Sequence, residues 1–136
     1  MKKMTAVFLS LLIAFAMTAC RGEALPEGMD QDALLSAGQE VFLLLVEGEY
    51  ETVHEMLRED QRAQFTVEDI RSAVTSQLDD AGFYKQIEDR MTTAQTIEGE
   101  RYGIAVLYCE FSEEDVLVRI SFDADLQLVG FALKQD

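Results

Sequence analysis

The chain has no tryptophan, one proline, one histidine and two cysteines in 136 residues. One imidazole excludes a histidine-rich metal site. Two thiols exclude a disulfide scaffold. Basic residues are scarce, 11 Lys and Arg against 26 Asp and Glu, for a formal net charge of −15. Nucleic-acid binding takes its affinity from basic groups that neutralise phosphates, so no nucleic-acid partner is expected. The length allows one domain at most. There is no Gly-x-Ser-x-Gly turn to support a serine hydrolase. No metal or cofactor is expected. What the chain does have is 49% apolar residues, enough for a hydrophobic core and too many for a disordered acidic tail.

Those residues are not spread evenly. Lys2 and Lys3 precede an apolar run, Ala6 to Met17, broken only by Ser10. The run is too short to span a bilayer, which takes about 20 residues, and suits an export signal. It ends in Met17-Thr18-Ala19-Cys20, which resembles a bacterial lipobox. The resemblance implies that residues 1–19 are cleaved and that Cys20 carries the lipid and anchors the chain to the extracytoplasmic side of a cell membrane. Cleavage would remove Lys2 and Lys3 and no acidic residue, taking the formal charge from −15 to −17. It would also leave Cys109 as the single free thiol, so no disulfide is expected. Residues 20–29 hold Gly22, Pro26 and Gly28 and read as a tether. Residues 30–136 then form a single α+β domain.

Three helical patterns open that domain. Asp30 is an N-cap for a helix over about residues 31–47, with Leu34, Leu35, Gly38, Val41, Phe42, Leu45 and Val46 at helical spacing and Gly48 as the stop. A second helix covers about 50–58. A third starts at Thr66, with an acidic residue three positions later, and stops at Gly82. Four extended segments follow: 83–97, 102–111, 116–122 and 126–133. Their hairpin spacing predicts an antiparallel meander under the helices.

Pairing Phe111 with Val116 puts Cys109, Leu107 and Ala105 on one face with Val118, Ile120 and Phe122. Pairing Asp123 with Leu126 extends the same face through Val129, Phe131 and Leu133. Agreement between the two hairpins marks that face as the core. The opposite face would hold Tyr108, Glu110, Leu117, Arg119, Ser121, Leu126, Leu128 and Ala132, and it is more apolar than a solvated face requires.

The run Val41-Phe42-Leu43-Leu44-Leu45-Val46-Glu47-Gly48-Glu49-Tyr50-Glu51 resembles the Phe-x-x-Leu-x-x-Gly-Asp-Tyr-Glu opening of small nuclear-transport-factor-2-like, or cystatin-like, domains. Val116 to Asp123 and Leu126 to Phe131 are similar to their closing hairpin. The nearest family is the one called domain of unknown function 3887. The resemblance covers roughly residues 33–134 and implies a cone: a curved four-stranded sheet around helices, often with an open cavity. It implies no established activity. Tyr84, Asp89, Arg90 and Tyr102 would line the mouth of such a cavity.

Single residues carry little chemistry. His54 offers a general base, but a surface histidine among carboxylates is the simpler reading. Glu51, Glu55 and Glu59 share one helix face, as a solvated face does. Asp123-Ala124-Asp125 reads as a turn, and Cys109 as a small core hydrophobe. Arg119 on the outer face could meet an anion, but packing over Leu117 and pairing with Glu110 is simpler. The function expected is therefore a non-catalytic envelope module. It would bind a second copy or an envelope protein through Tyr108, Leu117, Arg119, Leu126, Leu128 and Ala132. The alternatives are a small isomerase or hydrolase using Asp89 or Glu110, and a cystatin-like inhibitor or accessory domain of a neighbouring hydrolase or protease. A small ligand is the other occupant such a module could take, and the sequence does not name one.

Overall fold

The computed structural model describes residues 24–135, and the expected export signal and Cys20 lie outside them. Four helices, α1 (Gln31–Val46), α2 (Tyr50–Met56), α3 (Glu59–Arg62) and α4 (Val67–Leu78), precede four strands. The strands are β1 (Tyr84–Ile97), β2 (Glu100–Phe111), β3 (Asp115–Phe122) and β4 (Leu128–Gln135). They form one antiparallel sheet in the order β1-β2-β3-β4. The fold is α+β, as expected.

Local chemistry sets the helix ends. The Asp30 carboxylate accepts from the Ala33 N–H at 3.0 Å and caps α1. At the other end Gly48, with φ +79°, lets its N–H reach the Leu45 carbonyl and the Glu49 N–H reach that of Leu44. That is a Schellman closure, and it needs a residue that tolerates left-handed backbone. A capping box opens α4: the Asp69 N–H donates to Thr66 Oγ1 and the Thr66 N–H to Asp69 Oδ2. α3 is a single turn that the sequence pattern did not predict, because Glu59-Asp60-Gln61-Arg62 contains no apolar residue to show a period.

The core lies between α1 and the sheet. Leu34, Val41, Phe42 and Leu45 of α1 meet Ala105, Leu107, Val118 and Ile120, all essentially sealed from solvent. Gly38 permits the closest approach, since a Cβ there would fall 2.5 Å from that of Ala105. Phe42, Tyr84 and Phe111 stack edge-on at centroid separations of 5.4 to 6.4 Å and close one end of the core.

The strand registers differ from expectation by two residues. Cys109 faces Val116, Leu107 faces Val118 and Ala105 faces Ile120. In the last hairpin Ile120 faces Phe131 and Val118 faces Leu133. A two-residue slip keeps every side chain on its own face, so alternation alone cannot detect it. A bulge beside Phe122 does change a face. It pairs Phe122 with Leu128, so Leu128 turns inward and is 1% exposed rather than lying on the outer face. Leu126 is not in a strand. It sits in the turn with φ +62° and packs against the core. The β1–β2 turn is a two-residue hairpin with positive φ at both Glu98 and Gly99.

Residues 24–29 are not a free tether. Pro26 is buried, Leu25 and Met29 pack on the core, and the Ala24 carbonyl accepts from Arg101 Nη1 at 2.7 Å. Met29 Sδ fills the space that a side chain at Gly103 would need. Apolar Leu25 and Met29 supply the reason: docked, they bury surface that a free tether would leave in water.

Candidate functional site

Three places have the geometry to carry function, and the first is a polar hub. Arg58 follows the α2 turn, and its own N–H donates to the Leu128 carbonyl at 2.7 Å. This contact extends a one-residue parallel bridge between Leu57 and Leu128. The guanidinium reaches three carboxylates. It grips both oxygens of Asp60 at 2.8 and 2.9 Å, Glu100 Oε2 at 2.7 Å and Asp123 Oδ2 at 3.2 Å. It also lies 6.0 Å from the Tyr102 ring centre, and the Tyr102 hydroxyl donates to Glu100 Oε1 at 2.7 Å. Asp123 Oδ1 accepts from the N–H groups of Asp125 and Gln127, both at 2.9 Å.

The hydrogen bond to Asp60 is the main cause that raises the Arg58 pKa further above its already high ordinary value. The same bond holds the Asp60 carboxyl below the usual carboxylate range. Burial, with the bond to Glu100 next, pushes the Tyr102 phenol up. Every carboxylate of the hub is thus engaged by a fixed donor, which makes it a latch between the two hairpin turns and the α2–α3 junction. No period or motif could have located it, because its members come from positions 58, 60, 100, 102 and 123. The available signal was one arginine at a helix end and two acidic turns.

The second place is a groove of about 300 Å³ between α4 and β4. Leu57, Phe65, Ile70, Ala73, Val129 and Phe131 give it apolar walls, with Gln64 and Asp69 as polar neighbours. His54 fixes one lining residue: Nε2 donates to the Phe65 carbonyl at 2.7 Å and ties α2 to the loop before α4. The histidine pairs with a backbone carbonyl, not with the carboxylates beside it in sequence. Among the described residues no group of three His, Cys, Asp or Glu side chains is placed to hold a metal ion.

The third place is the outer face of the sheet. Ile104 and Val106 point away from the helices, yet they are 1% and 4% exposed. Tyr108 and Met91 flank them and are well exposed, with the Tyr108 hydroxyl 3.9 Å from Met91 Sδ. Leu117, Arg119 and Ala132 are half-buried on the same face. Arg119 stands across from Val106 on one side and Ala132 on the other, rather than from Tyr108. Glu110 is engaged elsewhere, by Gln86 Nε2 at 2.8 Å and Lys85 Nζ at 3.7 Å.

The proposed cavity residues do not converge. Tyr84 is in the aromatic stack at one end of β1, where burial raises its pKa. Tyr102 pairs with Gln95 near the other end. Asp89 is exposed and accepts from the Arg90 N–H, while Arg90 Nη1 donates to Gln39 Oε1 at 2.5 Å. Cys109 is buried, and desolvation pushes its thiol up to about 12, so it stays a neutral core group.

The family described as "Protein of unknown function (DUF3887)" matches residues 38–131. The chain belongs to that family. The matched span takes in α1 from Gly38 onward, α2 to α4, the whole hub and most of the sheet. Among solved structures, an NMR structure of a protein from Ruminococcus gnavus ATCC 29149 is similar, with a TM-score of 0.68 and 23% identity. The likeness covers 79% of this chain and 94% of that one, and at this identity it shows the fold alone. No curated protein matches. Within this DUF3887 domain, the latch explains how the hairpin end is held.

Proposed function

We propose that this DUF3887 protein is a non-catalytic interaction module, anchored by a lipid on Cys20 to the extracytoplasmic side of the cell membrane. Its outer sheet face is the contact surface for a second copy of the chain. The observation that supports the reading is the pair of exposed side chains Tyr108 and Met91, set beside the closely packed Ile104 and Val106, on the sheet face turned away from the described helices. A joined apolar strip of this kind suits a two-fold contact between identical faces. The acidic surface elsewhere would keep such a contact selective, because like charges oppose other approaches.

Sedimentation equilibrium of the exported domain tests it. A dimer that becomes a monomer in Tyr108→Asp and Leu117→Asp, with unchanged circular dichroism, supports the reading. A monomer across the micromolar range contradicts it. The groove beside β4 favours a second reading, a small apolar ligand, since its volume is at the lower end for ligand pockets. Filling it with Ala73→Phe would abolish such binding without changing the sedimentation result. Catalysis by Asp89 or Glu110 has less support, because neither lines that groove.

A further inference from the structure

The docked N-terminal segment fixes where the chain leaves the domain. Ala24 is held by Arg101, Pro26 is buried, and the Met29 N–H closes a turn onto the Pro26 carbonyl at 3.0 Å. Arg101 lies just after the β1–β2 turn. The β3–β4 turn is at the same end, since Arg58 bonds to Glu100 of one hairpin and Asp123 of the other. The β2–β3 turn and Phe83 are at the opposite end, joined by the Ser112 N–H to the Phe83 carbonyl at 2.8 Å.

Cys20 precedes Ala24 by four residues, so the chain between them reaches at most about 14 Å in any conformation. The eight residues of β3 alone separate the two ends by about 26 Å. We infer that the anchor sets the orientation of the domain: the β1–β2 and β3–β4 turns face the lipid surface, and the β2–β3 turn points away. This rests on the reading of Cys20 as lipidated.

Charge opposes closer contact. The near end carries Glu98, Glu100, Asp60, Asp123 and Asp125 against Arg58 and Arg101. An anionic headgroup layer repels that surface over a Debye length of roughly 8 Å at physiological salt, comparable to the tether. The near end therefore rides beside the headgroups without entering the acyl region, and lowering the salt moves it outward.

The absence of tryptophan makes the test clean. Ala124→Trp and Asp125→Trp report the near end, and Phe83→Trp and Glu114→Trp the far end, all at exposed sites. Each lipidated protein is purified from membranes and reconstituted in phosphatidylcholine–phosphatidylglycerol vesicles carrying a headgroup spin label. The near-end indoles are expected to be quenched at least about threefold more than the far-end ones, given the separation of about 26 Å. Inserting about 12 Gly/Ser residues after Gly22 is expected to erase the difference, because a flexible linker of that length lets either end approach. Equal quenching, reversed quenching, or a difference that survives the insertion overturns the orientation while leaving the lipid anchor standing. A chain whose Cys20 carries no lipid by mass spectrometry overturns both.

Discussion

Replacing Arg58 with methionine removes the charge and keeps most of the stem. The backbone bond from the residue 58 N–H to the Leu128 carbonyl is retained, so the effect isolates the guanidinium. Its side chain is 19% exposed and that of Asp123 is 8% exposed. The bond between them is charge-assisted and partly buried, a class worth about 1.5–3 kcal/mol. Asp60 and Glu100 are about half exposed, and solvent screening limits each of those contacts to about 0–1 kcal/mol. The expected loss is about 2–4 kcal/mol, or about 8–16 °C in Tm for a domain of this size. Thermal and urea unfolding followed by circular dichroism measure it.

Two further readouts guard against coincidence. Adding Asp123→Asn should restore about half of the loss, because the stranded carboxylate goes while its acceptor for Asp125 and Gln127 is kept. The pH dependence should flatten as well. The Asp60 carboxyl is held below its ordinary value, so its contribution is full above about pH 4 and disappears as pH falls through the lowered pKa. Arg58→Met should be insensitive to that fall. A Tm change below about 2 °C, or no rescue by the second substitution, would refute the latch.

Leu128→Asp should fail to fold, whereas Leu117→Asp should lose less than about 1 kcal/mol, since only Leu128 lies on the core side of the bulge; urea titration separates them. Gly38→Val should destabilise by about 1–3 kcal/mol, because α1 cannot retreat from Ala105 without opening the core. Thr66→Ala should cost about 1 kcal/mol by removing the capping box of α4. Cys109 should resist a disulfide reagent at pH 8 in the native domain and react on unfolding. Its raised pKa stabilises the fold below the ordinary thiol value, and that contribution is lost as pH rises towards 12.

The parts of the fold legible in the sequence were those encoded locally. Asp30, Gly48 and the Thr66–Asp69 pair marked helix ends through backbone chemistry within a few residues. Alternation along β2 and β3 identified the core face. It could not fix the register, because a slip of two leaves the pattern unchanged. It failed at Leu128, where one extra residue inverts the alternation. Irregular pairing near Tyr84 and Ile87 likewise blurred the pattern of β1. The candidate surfaces were less legible still. Tyr108, Leu117, Arg119 and Ala132 do share the outer face, but Ile104 and Val106 beneath them were not marked, because an apolar residue on either face of a strand looks the same. Arg58 acquires its partners only when the α2–α3 junction, the β1–β2 turn and the β3–β4 turn meet.

The claim on which the membrane orientation rests is that Cys20 carries a lipid holding an exported domain to the membrane. Metabolic labelling with an alkyne palmitate, followed by membrane fractionation, compares the wild type with Cys20→Ala. The account predicts a labelled wild-type chain in the membrane fraction, and a Cys20→Ala chain that incorporates no label and is not processed at residue 19. Label retained in Cys20→Ala, or an unlabelled and soluble wild type, would contradict it.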